Sequence, residues 1–224
     1  MQMSHSPKSH FCYFLLKAQA MAQLVLGHRA GALARLDRML MHWPLDRYAL
    51  ASRAHVLVQL NRLEESIASQ QQLARLAGPQ LQRAAAWFNL GYVLQQAGRH
   101  EEALPAFAKA TEYDPGMDRA WYGLALVLIH QQQFHEARRA LKKNTELQPM
   151  SPYGWYRLAE VNLALGEPEK VRQVIEHLRQ FEPGVAAQLE RDMGLAGPVP
   201  WRAADKRRTA LDCAAAGKVS DAVH

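Results

Sequence analysis

The chain has 224 residues, 49% of them apolar and 21% charged, and a formal net charge of +6. Its longest apolar run, Ala120 to Ile129, is ten residues, too short for a membrane-spanning helix of about 20, and two cysteines, Cys12 and Cys213, exclude a disulfide framework or an all-cysteine zinc site. Alanine and leucine supply 36 and 30 residues while β-branched residues are scarce, so the composition points to helix.

Residues 1–83 hold ten Lys/Arg against four Asp/Glu, which puts the whole positive excess in the first third. Such an excess can steer acidic partners, nucleic acid included. The arginines are scattered, however, with no block of five like charges, and that suits a solvated face better. Residues 1–12 read as an N-terminal extension. Lys8, the apolar Phe11–Leu16 and Ala18-Gln19-Ala20 imitate a secretory signal, but the apolar stretch falls short of the usual ~7–15 residues and Lys17 interrupts it. A cytoplasmic protein with reduced cysteines is expected.

From there the chain repeats. Prolines recur at Pro44, Pro79, Pro115, Pro149 and Pro183, and tryptophans at Trp87, Trp121 and Trp155. Each tryptophan is followed three places on by leucine, then by a small residue, and six places on by valine. Five units of this period cover 13–46, 47–83, 84–117, 118–151 and 152–185. The first keeps Leu16, Ala20, Gly27, Ala32, Leu36, Met39 and Pro44. The second keeps Leu50, Ala54, Leu57, Asn61 at the turn and Ser66, with a few extra residues around Pro79.

The third unit is the clearest. Trp87, Leu90, Gly91 and Leu94 lie at i, i+3, i+4 and i+7, one face of a helix. Gly98 ends it, the residue that most easily takes a left-handed cap. Glu101 and Glu102 open a second helix at its favourable dipole end, whose inner face is Ala103, Phe107 and Ala110. Pro115 follows. The fourth unit keeps Trp121, Leu124, Ala125, Phe134, Ala137, Leu141 and Pro149, with Asn144 where a small residue is expected. The fifth keeps Trp155, Leu158, Ala159, Gly166 and Pro183, with bulkier Val171 and Ile175. Residues 186–197 read as a capping helix. Residues 198–224 read either as a basic tail or as an incomplete sixth unit carrying Ala210, Gly217 and Ala222 at repeat places.

The pattern W-x2-L-G…G-x4-A-x3-F-x2-A…P resembles the tetratricopeptide repeat (TPR) family. The resemblance implies an all-α, right-handed α-solenoid of about five helix-turn-helix units with a C-terminal helical cap and tail. It also implies a non-catalytic adaptor or scaffold that binds a peptide or helix of another protein in a concave groove lined by the first helix of each unit. Mapped onto this chain, the groove places are Tyr48 and His55 in unit two, and Phe88, Asn89 and Tyr92 in unit three. Unit four supplies Arg119, Tyr122 and Leu126, and unit five Tyr153, Tyr156 and Arg157. Aromatic and arginine side chains are typical interface anchors. Asn89 suits a peptide backbone and Arg157 a carboxylate. Phe88, Tyr122 and Tyr156 share one repeat place and could equally stack on the next unit. No three successive units supply the Lys, Asn, Asn, Lys, Arg set with which some family members clamp a C-terminal tail.

No phosphate loop, dinucleotide fingerprint, nucleophile elbow or H-E-x-x-H occurs, so no catalytic residue, cofactor or metal is expected. His130 and His135, five residues apart, do not share a helix face. Two other readings stay open. One is a structural subunit of a secretion or envelope-biogenesis assembly, with self-association through the C-terminal end. The other is a nucleic-acid module using the basic first third. An excess of arginine over lysine with abundant alanine points to a bacterial source.

Overall fold

The apolar spacing of each unit folds into two helices joined by a tight left-handed turn. In a computed structural model, which describes residues 7–76 and 78–193, eleven α-helices and no strand occur among those residues. They are α1 (Pro7–Val25), α2 (Arg29–His42), α3 (Arg47–Gln59), α4 (Leu63–Arg75), α5 (Gln80–Gln96), α6 (His100–Tyr113), α7 (Asp118–His130), α8 (Phe134–Leu147), α9 (Pro152–Ala164), α10 (Pro168–Arg179) and α11 (Pro183–Met193). None of the described helices is long and apolar enough to cross a membrane. The chain divides into two units, Met1–Val174 and Ile175–His224, with the division inside α10.

In the first unit each helix from α1 to α9 packs on its neighbours in sequence, and α5 also touches α7. This is the α-solenoid arrangement. The turn within each pair is the same device five times. Gly27, Asn61, Gly98, Gln132 and Gly166 all take positive φ, between 57° and 75°. The N–H of the following residue then reaches back to the carbonyl five places earlier: His28 to Gln23, Arg62 to Leu57, Arg99 to Leu94, Gln133 to Leu128 and Glu167 to Asn162, at 2.8–2.9 Å. That bond satisfies a helix-end carbonyl and turns the chain directly into the second helix. α4, α6 and α8 then open with Glu64–Glu65, Glu101–Glu102 and Glu136, suited to the positive end of the dipole.

The signature residues make the core. Leu90, Gly91, Ala103, Phe107 and Ala110 are buried, as are Ala137 and Leu141 one unit later. Asn144, standing where a small residue is expected, is buried too. Its Nδ2 donates to the Asp118 carbonyl at 2.9 Å, and Gly154 leaves the room its amide needs. Ser66 in the second unit donates to the Ala54 carbonyl at 2.9 Å. Pro105 lies on the exposed side of α6, which continues through it.

Two departures from the sequence reading concern boundaries. α1 begins at Pro7, so residues 7–12 of the segment read as an extension belong to the first helix. The extra residues around Pro79 lengthen α5 to 17 residues, where α3, α7 and α9 have 13. The added turn is tied down: Gln80 Nε2 donates to the Tyr113 carbonyl at 2.8 Å, and the Arg83 guanidinium lies 4.2 Å above the Tyr113 ring.

Ion pairs join consecutive elements along the stack. Arg53 on α3 pairs with Asp37 on α2 at 2.7 Å and donates a hydrogen bond to the Ser69 hydroxyl on α4 at 2.6 Å. Arg99 meets Glu64 at 2.7 Å, and Arg138 meets Glu167 at 2.8 Å. Bonds from Lys170 and then Arg138 hold the Glu167 carboxyl down at about 2. In the second unit the described residues form the end of α10 and α11, where Leu178, Ala186, Leu189 and Met193 are buried and Arg179 pairs with Glu176 and Glu190. Residues 198–224, with Cys213, Trp201 and the self-association assigned to that end, lie outside the described residues.

Candidate functional site

All eleven residues mapped to the groove stand on the odd-numbered helices α3, α5, α7 and α9. On α3, Tyr48 is half-buried and the Lys17 ammonium of α1 sits 4.2 Å above its ring. His55 is exposed. Gln59 accepts from the Arg29 guanidinium through Oε1 at 2.7 Å, so its amide nitrogen is the atom that faces His55 Nε2 at 2.8 Å. His55 Nε2 is therefore an acceptor, with its proton on Nδ1.

On α5, Asn89 is exposed and Phe88 half-buried. The Phe88 ring lies 6.4 Å from Tyr92 in a stacked arrangement and 6.0 Å from the buried Phe107, and the Arg119 guanidinium of α7 lies 5.5 Å over it. This ring therefore spans the junction between two units: one side rests on its own second helix and the next unit's arginine lies over it. Tyr92 keeps its hydroxyl at the surface, where it accepts from Gln96 at 2.8 Å.

Arg119 is exposed, and Tyr122 and Leu126 are half-buried. On α9, Tyr153 is exposed and Tyr156 and Arg157 are half-buried. The carboxylate expected to meet Arg157 is supplied by the chain itself, because Arg157 Nη1 donates to Glu160 one turn on at 2.8 Å. Glu160 and Asp118 are the only carboxylates in α1, α3, α5, α7 and α9. The first-helix face thus combines aromatic rings, amides and cations, while the acidic residues gather on the second helices.

Sequence reasoning missed the cation–aromatic pairs. Lys17 with Tyr48, and Phe88 with Arg119, each join the fifth place of one unit to the second place of the next, 31 residues on. That offset was the available signal. It also missed His100 and His130, whose rings stack 3.8 Å apart at 24°. Burial first, and the His130 ring second, lower the His100 pKa. Among the described residues no group of three or more His, Cys, Asp or Glu could hold a metal ion.

Tetratricopeptide repeat models match residues 17–80, 70–116 and 94–155. Solved structures of similar fold include the crystal structure of MamA protein, at 16% identity with a TM-score of 0.68 over 84% of this chain and 98% of that one. MamA 41-end from Desulfovibrio magneticus RS-1 matches at 20% identity and a TM-score of 0.66, over 80% and 96%. YrrB, described as a TPR protein with an unusual peptide-binding site, matches at 18% and 0.66, over 77% and 88%. At these identities the likeness is one of fold. No curated protein sequence matches the chain.

Proposed function

This chain belongs to the tetratricopeptide repeat family, and from that premise we propose that it is a non-catalytic adaptor holding a peptide or helix of another protein along its first-helix face. The observation that carries the reading is the segregation of charge. Odd-numbered helices α1 to α9 carry Asp118 and Glu160 as their only carboxylates, with Glu160 committed to Arg157. His55, Asn89, Arg119 and Tyr153 are exposed there, and Tyr92 and Tyr122 are among the rings left half-exposed. Such a surface suits a segment that brings apolar side chains and carboxylates of its own: rings give area at low entropy cost, and Asn89 and Arg119 give directed bonds. YrrB, with its peptide-binding site, lends the reading support from the same fold. The reading includes a cytoplasmic location.

The test compares two faces of one molecule. A photocrosslinking side chain at Asn89 or Tyr153 captures the partner, and one at Lys109 or Glu146 on the second helices does not. Asn89→Ala combined with Tyr153→Ala weakens capture at least tenfold at unchanged helicity. Equal crosslinking from both faces, or undiminished capture by the double variant, overturns the reading.

A further inference from the structure

A helix face that is apolar and exposed marks a surface made to be covered, and α1 has such a face beside its polar flanks, Lys17, Gln19 and Gln23. Its inner side is accounted for: Leu16 and Ala20 are buried, and Tyr13 and Leu24 pack on the same cluster with α2 and α3. Its outer side is Phe11, Phe14, Leu15, Ala18, Met21, Ala22 and Val25, at i, i+3, i+4, i+7, i+10, i+11 and i+14. All seven are exposed and none is polar. Phe11 is 72%, Phe14 63%, Leu15 46%, Met21 50% and Val25 86% exposed. At 1.5 Å per residue the stripe is about 21 Å long. Among the described residues no helix covers it, whereas α3, α5, α7 and α9 each have the preceding second helix packed beside them.

The geometry points to a second copy of this chain as the occupant, with the two α1 helices crossing antiparallel on a two-fold axis at Ala18. Three observations argue for a copy. First, the spacing of the stripe reads the same from either end. An antiparallel partner sets Phe11 against Val25, Phe14 against Ala22 and Leu15 against Met21, so each ring meets a smaller residue and the axis passes through alanine. A two-fold interface requires this self-complementarity. Second, the exposed parts of these side chains amount to roughly 600 Å² per chain, taking about 150–250 Å² for a whole aromatic residue and somewhat less for an aliphatic one. A pair then buries about 1,200 Å², at the lower edge of stable specific interfaces. Third, no other described helix offers a matching face. Of the remaining exposed large apolar residues, Leu26 follows the end of the stripe itself, and Met41, Leu45, Leu81, Met150 and Tyr153 lie over helix ends and turns. The stripe carries no charge to oppose a copy of itself.

Sedimentation velocity on the full chain tests this. Wild type sediments at about twice the 25.2 kDa chain mass, falling toward one chain mass on dilution. Leu15→Glu and Met21→Lys are each single chains with unchanged helical content and melting, because both positions are exposed. Mixed, they return to the double mass, since position 15 of one chain faces position 21 of the other. Phe14→Ala, which adds no charge, raises the dissociation constant at least tenfold. A single-chain mass for wild type at every concentration overturns the proposal, whether residues 194–224 or a different protein then cover the stripe. A double mass retained by Leu15→Glu, or no recovery on mixing, overturns it as well.

Discussion

Phe107 occupies space that two glycines leave open. A Cβ at Gly91 would stand 2.9 Å from its ring, and one at Gly123 2.6 Å, closer than carbon atoms pack. Gly123→Ala therefore forces the buried ring to shift and is expected to cost about 1–3 kcal/mol. Phe107→Ala leaves a cavity and costs about 3–5 kcal/mol; urea unfolding of both variants checks the two figures. Gly91 and Phe107 were legible because they fall on signature places of the repeat. Gly123 was not. It stands in the place held by Asn89 one unit earlier and Arg157 one unit later, so a single repeat reads it as groove surface, and only the neighbouring unit's ring explains it. The same limit hid His100 and His130, which meet across two units. His100 titrates below its ordinary value of 6.5 because burial disfavours the imidazolium and His130 adds to that. The unfolded chain binds the proton first, so stability falls as pH drops through 6.5 and stops falling once the folded form is also protonated. Replacing His100 by Phe keeps a ring against His130 and flattens this part of the profile, which thermal melts on either side of 6.5 would read.

At the scale of the element, the five left-handed turns set the repeat. Three use glycine, but Asn61 and Gln132 hold φ at 57° and 60° with a side chain attached. A non-glycine residue pays roughly 1–2 kcal/mol there, partly offset by the freedom glycine loses on folding. Gln132→Gly is thus expected to stabilise by up to about 1 kcal/mol, and Asn61→Gly by less, because asparagine tolerates this region better. Chemical denaturation ranks the two. Asn61 was readable as a turn residue from its chemistry, whereas nothing in Gln131-Gln132-Gln133 distinguishes the middle glutamine. The length of α5 escaped for a related reason. Trp121 and Trp155 donate through Nε1 to the carbonyls of Pro115 and Pro149, six residues back, at 2.9 and 2.8 Å. For Trp87 the residue six places back is Leu81, already inside α5, where its carbonyl belongs to the helix ladder. Trp87 Nε1 finds no partner among the described residues, and Lys109 lies over the ring instead, at 4.1 Å. A regular repeat reading expects one tryptophan environment three times, and the added turn makes the first of them different.

For the first unit as a whole, packing between neighbours in sequence decides how damage spreads. From α1 to α9 the helices touch those next to them, with α5 and α7 the one further pair that meets closely. Stability in such a stack is close to a sum of repeat and interface terms, and separate regions can open separately. Phe107 belongs to a cluster that runs from Leu50 and Ile67 through Leu90 and Ala106 to Val127. Leu16, Leu33, Leu36, Met39 and Val56 form another. Phe107→Ala should therefore raise amide hydrogen exchange in α5, α6 and α7 by the full cost of the cavity while leaving α1 and α2 near their wild-type protection. Uniform loss of protection from α1 to α9 would mean that the unit melts as one cooperative body, and the nearest-neighbour account of its stability would fail. The aromatic and amide side chains proposed to bind a partner stand on α3 to α9, and the apolar stripe proposed to bind a copy stands on α1. If the two clusters respond independently, a lesion at Phe107 loosens the partner-binding face and leaves the α1 stripe intact, so exchange and sedimentation on the same variant report on the two surfaces separately.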